Sequence, residues 1–426
     1  MKLSWKNELP QDLQAKVAAV ERQIAPRIAE IDEQVTYNQM RVLECFRKHH
    51  VAEEDFAGST GYGYDDVGRD KLDAIYADYF HTEDAMVRPQ LISGTHAIAT
   101  ALFSILRAQD TLFYMTGMPY DTIQHVIGIV GDEPGTMLDY GINFDYAKLL
   151  KTGKVDYKTV AAKLQKNDSI KVVAIQRSRG YALRDSFTVA EIKEMIAFVR
   201  ARLPHAIIFI DNCYGEFSEI HEPTEDGADL MAGSLYKNAG AGIVKTGAYL
   251  VGRKALIKKA GNRLNVPGAG KHEGATIGHI RDMYQGFFLG PHVTGEAIKG
   301  AIFTSALLEK IGLTVSPRWD APRTDLVQTV NFGDPPTAMI GFCQAIQHYS
   351  PVNSYVDPVP SVMDGYEDPE IMASGSFTEG STIELSSDGP MRPPYTLYIQ
   401  GGLTYSHVKV AISKAVAEIF YEKKDM

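Results

Sequence analysis

The sequence predicts an α/β protein of two domains, a large one and a smaller C-terminal α+β one, and three observations carry that expectation. Short apolar, β-branched runs such as KVVAIQ (171–176) and AIIFI (206–210) stop abruptly at polar residues, as strands with both faces buried do. Between such runs lie stretches whose apolar residues recur three and four apart, the period of an amphipathic helix. At 426 residues the chain is also too long for one core of ordinary size. We expect a helical arm over 1–60, the large domain over 61–293 and the small domain over 294–426.

Composition narrows the function classes. A hydrophobic fraction of 45% and a charged fraction of 23% belong to an ordinary globular chain. The net charge of −10 disfavours nucleic acid and anionic membranes, while leaving room for a local phosphate pocket. The start, MKLSWKNELPQDLQ, holds no apolar core for a signal peptide and no run reaches bilayer-spanning length, so the chain is read as cytoplasmic. Cys45, Cys213 and Cys343 are too widely spaced for a disulfide framework or a metal knuckle, and no metal is expected.

In chain order, Leu13, Val17, Val20, Ile24, Ile28, Ile31 and Val35 mark an amphipathic helix that Pro26 should kink or divide. GSTGYGYDDVGRDK is a glycine- and tyrosine-rich loop entering a helix near Arg69. QLIS reads as a short strand ending at Ser93, and Ile98, Ala101, Leu102, Ile105 and Leu106 stripe a helix beginning near Gly94. A glycine at that junction exposes backbone N–H groups at the positive end of the helix, a place for a phosphate monoester, so Gly94, Thr95 and His96 are the candidates for it. Thr111–Thr116 is a further strand, followed by GMPYDT. The strand Lys171–Gln176 runs into RSRGYALRDS, whose Arg177, Arg179 and Arg184 serve either an acidic substrate group or a structural ion pair. From about Gly286 the pattern turns helical, and the last helix carries Val408, Ala411, Ile412, Ala415, Val416, Ile419 and Phe420 on one face.

The centre of the chain carries the chemistry. One apolar run ends in Asp211, and the run from Asp229 to Gly233 ends in Ser234-Leu235-Tyr236-Lys237, so an acid and a lysine stand at the ends of neighbouring strands. A pyridoxal phosphate enzyme needs a lysine to bond the cofactor's aldehyde and an acid to keep the pyridine nitrogen protonated. Lys237 as a plain surface lysine is the competing reading. The two-residue period of a strand puts Cys213 on the side of Asp211, either under the cofactor ring or as a buried, unreactive thiol.

The strings DNCYGEF, SLYKN and GAYLVG, with SGTHAI, PYDT and QGGLTY, resemble the aluminium-resistance or methionine gamma-lyase-like family of fold-type-I pyridoxal phosphate proteins, related to the carbon-sulfur lyases of cysteine and methionine metabolism. The resemblance implies a mostly parallel mixed sheet flanked by helices, pyridoxal 5'-phosphate on Lys237, and a homodimer or homotetramer with the active site at the subunit interface. It implies that Tyr120 stacks on the ring, that Ser234 bonds the phosphate, and that Tyr64 and Arg69 reach a neighbour's cofactor. It further implies that Arg392 grips the carboxylate of an amino-acid substrate. The competing readings are a turn tyrosine for Tyr120, a surface loop for Tyr64 and Arg69, and a surface arginine for Arg392. The chain departs from its relatives at Gln176, where they have an acid, and at Tyr236, where many have a phosphate-binding threonine. The expected activity is β- or γ-elimination on a sulfur-containing amino acid, with transamination, aldol cleavage or non-catalytic cofactor binding as alternatives.

Overall fold

A computed structural model of the chain describes residues 4–363, 366 and 368–422. The chain divides into two compact units, Asn38–Leu289 and a second formed by Met1–Tyr37 with Gly290–Met426. The stretch 1–60 is therefore divided at Tyr37, inside a helix, α1 (Gln11–Lys48), that runs through Pro26 without a break. Proline removes one helical hydrogen bond there, while Leu13, Val17, Val20, Ile24 and Ile31 on either side of it are buried and hold the helix together.

The unit Asn38–Leu289 is built on a seven-stranded sheet. Its strands are β1 (Asp84–Arg88), β2 (Thr111–Tyr114), β3 (Asn143–Tyr146), β4 (Ile170–Gln176), β5 (Ile207–Asp211), β6 (Leu230–Ser234) and β7 (Ala248–Gly252), in the order β1-β7-β6-β5-β4-β2-β3. The run β6-β5-β4-β2-β3 is parallel; β7 pairs antiparallel with both β6 and β1. This is the mostly parallel mixed sheet that the sequence led us to expect. The strand near QLIS lies upstream of it, however: DAMVR forms β1, and Ser93 caps a helix by accepting a hydrogen bond from the His96 N–H.

Helices cover both faces. Residues of α2 (Val67–Tyr79), α5 (Tyr157–Lys166), α6 (Val189–Arg200) and the start of α8 (Ile280–Lys310) share one core cluster with alternate strand residues such as Val173, Ile208 and Ile210. Those of α3 (Gly94–Ile105), α4 (Asp121–Ile127) and α7 (Lys254–Leu264) share the other with Val172, Ala174 and Phe209. Both faces being apolar explains why β4 and β5 read as continuous hydrophobic runs. The pairs Gln176↔Asp211 and Asp211↔Ala232 bring β4, β5 and β6 to their carboxyl ends almost level.

The second unit holds a five-stranded antiparallel sheet of β8 (Thr314–Ser316), β9 (Gln328–Asn331), β10 (Glu370–Ala373), β11 (Ser386–Pro390) and β12 (Thr396–Gln400), in the order β10-β11-β12-β9-β8. It also holds α9 (Thr337–His348) and α10 (Tyr405–Ala417). Val408, Ala411, Ile412, Ala415 and Val416 are buried as the periodicity required, whereas Ile419 is half-buried and Phe420 exposed, in a wider turn that follows α10. None of the described helices is long and apolar enough to cross a membrane.

Candidate active site

Parallel strands in an open α/β sheet offer their carboxyl ends as the place where ligands bind. At that edge β5 ends in Asp211, which is buried, and β6 ends in Ser234, which is fully buried. Three residues beyond Ser234, Lys237 lies in a turn with its Nζ 4.0 Å from the centre of the Tyr214 ring. Tyr214 adopts a left-handed backbone conformation (φ 72°) that a tyrosine seldom takes, so the turn after β5 is shaped to put this ring against the amine.

The turn entering α3 meets the same place. A Cβ added to Gly94 would lie 2.8 Å from Cys213 Sγ and 3.6 Å from Ser234 Cβ, so only glycine lets the start of α3 approach the ends of β5 and β6 so closely. The cap spends Ser93 on the His96 N–H; the Gly94 and Thr95 N–H groups, at the first two helical positions, have no place in the helix's own bonding. The Ser234 hydroxyl is buried and has no hydrogen-bond partner among the described residues. Leaving such a group unmet costs roughly 1–3 kcal/mol, which an arriving acceptor would restore.

Electrostatics around the amine are set by burial and charge together. Burial acts against the Lys237 ammonium, but its electrostatic neighbours Tyr214, Cys213, Tyr236 and Asp211 outweigh it and hold the amine above the ordinary lysine value. Burial raises the Asp211 carboxyl, opposed by the Cys213 N–H, which donates to Oδ1 at 3.1 Å, and by the charges of Lys237 and Arg184. Burial also pushes the Cys213 thiol far up, so it is an inert neutral group. Beside α3, desolvation lowers His96, whose Nδ1 accepts from the Ile92 N–H at 3.3 Å, and the ring is neutral at pH 7.

Tyr120 joins the site through Gln176. The Tyr120 N–H donates to Gln176 Oε1 at 2.8 Å, while Gln176 Nε2 donates to the Ser178 carbonyl at 2.9 Å. A carboxylate could accept but not donate, so the departure at 176 has a local use. The Tyr120 ring lies against Gly180, where a Cβ would come within 2.8 Å of it. The start of its helix is tied to that of α3 by the hydroxyls of Thr95 and Thr122, 2.9 Å apart.

The remaining candidates lie on other elements. Tyr64 is largely exposed, stacks on Tyr62 and donates to Glu273 Oε1 at 2.5 Å. Arg69 is buried, and its guanidinium donates to the carbonyls of Gly63, His272 and Gly274 and to Asp70 Oδ1. Arg392 belongs to the other unit, in the exposed turn between β11 and β12, and pairs with Asp368 at 2.7 Å. Cys213 lies beyond the end of β5, where the strand period no longer applies, and its sulfur faces Gly94. Arg177 is fully buried between Glu219 and Glu222, the structural ion pair of the two readings open for it. Among the described residues no cluster of His, Cys, Asp and Glu is arranged to hold a metal ion.

Sequence reasoning missed Tyr214, Glu216 and Asn238. The Asn238 Nδ2 donates to the carbonyls of Tyr214 and Glu216, each at 2.9 Å, stitching the turn after Asp211 to the turn of Lys237. The available signal was a polar residue on each side of a glycine in CYGEF and an asparagine directly after the lysine.

These residues fit the cofactor that the resemblance implies. The amine of Lys237 and the carboxyl of Asp211 stand at neighbouring strand ends, and an unmet buried hydroxyl faces a helix start that has no side chain at its first position. The chain is similar to known proteins over nearly its whole length. The uncharacterized protein YnbB of Bacillus subtilis is 52% identical over 413 residues, covering 97% of this chain and 96% of that one. A solved structure from Listeria innocua, described as a candidate cystathionine beta-lyase involved in aluminium resistance, is 52% identical and superposes with a TM-score of 0.92 over 95% of this chain and 98% of that one. At the level of fold alone, the pyridoxal phosphate-dependent protein YhfS of Escherichia coli superposes with a TM-score of 0.61 at 16% identity, over 91% of this chain and 97% of that one. The profile of the methionine gamma-lyase family matches residues 13–420, and the chain belongs to that family.

Proposed function

We propose that this chain is a pyridoxal phosphate-dependent carbon-sulfur lyase that acts on a sulfur-containing amino acid by β- or γ-elimination, giving a thiol, a 2-oxo acid and ammonia. The observation that carries the reading is Lys237, whose charge acts on the buried Asp211, with Ser234, its hydroxyl unmet, packed against the start of α3. Membership of the methionine gamma-lyase family and the printed description of the Listeria innocua structure support the choice of elimination.

When bound, pyridoxal phosphate supplies an electron sink for the charge left on the substrate as its α-proton departs. The chain supplies position and proton transfer. Gly94, Thr95 and Ser234 offer N–H and O–H donors to the phosphate, and the dipole of α3 favours its charge. Asp211, at the end of β5, would keep the pyridine nitrogen protonated. Lys237 would hold the cofactor through its aldehyde and, when free, its amine would take the substrate's α-proton. Tyr120, fixed by Gln176 and Gly180, would lie against the cofactor's ring and could offer its hydroxyl proton to the leaving sulfur. General acid–base help of this kind is worth about 10²–10⁴-fold in rate.

Incubating the protein and pyridoxal phosphate with L-cystathionine, L-methionine or L-cysteine tests the reading. A 2-oxo acid and ammonia in equal amounts, with no amino acceptor added, are expected. A strict need for an amino acceptor would replace elimination with transamination.

A further inference from the structure

Behind the lysine lies a buried acid that the reaction above does not use. Glu216 is fully buried; its Oε1 accepts from the Tyr249 hydroxyl at 2.6 Å, and Oε2 has no partner among the described residues. The carboxyl lies directly on β6, because a Cβ at Gly233 would fall 2.1 Å from Oε1 and 2.5 Å from the Tyr249 oxygen. Glu216 thus belongs to the turn that begins with the left-handed Tyr214 and ends with the left-handed Phe217 (φ 62°), and Asn238, next to Lys237, grips that turn by the carbonyls of residues 214 and 216.

We propose that Glu216 is a positioning residue for Lys237: anchored on β6 by Tyr249 and backed by Asn238, it fixes the strained turn that seats the Tyr214 ring against the lysine amine. This rests on the reading of Lys237 as the cofactor's lysine. The titratable groups facing Glu216 are Tyr76 of α2, Tyr249 of β7, Cys213 and Glu222 of its own turn, and Lys237 beyond β6. Burial pushes the Glu216 carboxyl up to about 8, with the Tyr249 hydroxyl and Lys237 opposing and Glu222 adding to the rise. The acid is therefore neutral at pH 7, and its ionisation above that adds a negative charge behind the amine and favours the protonated form there.

Two conservative variants separate shape from charge. Glu216→Gln keeps the shape and the acceptor for Tyr249 and cannot ionise; Tyr249→Phe keeps the acid and removes its anchor. Each is loaded with pyridoxal 5'-phosphate and read by cofactor affinity, by the circular dichroism of the visible band and by the pH midpoint of that band, with far-ultraviolet dichroism as the check on folding. Glu216→Gln is expected to bind the cofactor within about threefold of wild type, with the midpoint lowered by about half a pH unit or more. Tyr249→Phe is expected to weaken binding about tenfold, the size of one ordinary hydrogen bond, and to reduce the visible dichroism. Borohydride reduction of the loaded wild type and peptide mapping show whether Lys237 carries the cofactor. A label on Lys237, with both variants matching wild type in affinity, dichroism and midpoint, overturns the positioning role and leaves the lyase reading standing. A label elsewhere overturns both.

Discussion

Gly94 offers the sharpest test of how the cofactor cradle is built. In Gly94→Ala the new methyl group would sit 2.8 Å from Cys213 Sγ, about 1 Å inside ordinary contact, and the sulfur is itself buried with little room to retreat. Overpacking of this kind costs about 1–3 kcal/mol, while alanine's preference for helix returns up to about 1 kcal/mol, so a net loss of about 1–2 kcal/mol is expected. Cys213→Ala alone removes one buried sulfur and costs about 1 kcal/mol. In the double variant the methyl added at position 94 occupies the space that the sulfur has left, so the two costs do not add, and a coupling of about 1–2 kcal/mol should appear in urea unfolding. Cofactor affinity should behave differently, because the methyl still lies 3.6 Å from Ser234 Cβ and, on the proposed reading, would stand over the phosphate in both backgrounds. Pyridoxal phosphate binding, followed by its visible band, should therefore stay weak in the double variant. Stabilities that add within about 0.5 kcal/mol would refute the contact, and full recovery of binding on removing the sulfur would refute the cradle.

Other expectations follow from the same contacts. Lys237→Ala should lose both the visible band and the borohydride label; a band that persists would take the residue out of its role. Ser234→Ala should leave the cofactor-free protein as stable as wild type or about 1 kcal/mol more so, since an unmet buried hydroxyl is removed, while lowering cofactor affinity; thermal unfolding without cofactor and a binding titration separate the two effects. Burial raises Glu216 to about 8 and Glu222 to about 7, from an ordinary 4.5, so each is protonated in the folded state over a range where the unfolded chain is ionised. Their contribution to stability is full below pH 4.5 and is lost as the pH rises through the folded values, by up to about 1.4 kcal/mol per pH unit for each group. The difference between Glu216→Gln and wild type in urea unfolding should therefore change between about pH 5 and 8 and level off above 8; a flat difference would mean that Glu216 is already ionised at the acid end of that range. Arg69→Lys should destabilise the fold by about 2 kcal/mol in the same assay, since a lysine cannot reach three carbonyls from one planar fork.

What could be read from the sequence was what local chemistry decides. β4, β5 and β6 announced themselves because each is apolar on both faces and stops at a polar residue; α3 did so by its stripe and the glycine at its start. Asp211, Ser234, Lys237 and Gly94 were legible for the same reason, standing at those ends. β1 was missed because DAMVR begins in an acid and ends in an arginine, and it is a strand through its pairing with β7, a partner far along the chain. Reach across space was equally hidden. The donors of Arg69 go to the carbonyls of Gly63, His272 and Gly274, and no spacing along the chain says that residues 63 and 274 meet.

The turn between Asp211 and Glu222 makes the same argument more strongly. Its residues look like loop residues, yet Glu216 and Glu222 are fully buried, because Tyr249, Arg177 and Asn238 come from three other parts of the chain, with Asn212 of the turn itself, to meet them or their backbone. A buried carboxylate is costly and is tolerated where partners converge or where it keeps its proton. Each acid here has partners and a raised pKa, and the site they support carries the one amine to which the reaction is assigned. The cost of burying two acids in this turn is thus tied to holding Tyr214 in a backbone conformation it would not otherwise keep. Relaxing that turn should free the lysine before it unfolds the sheet.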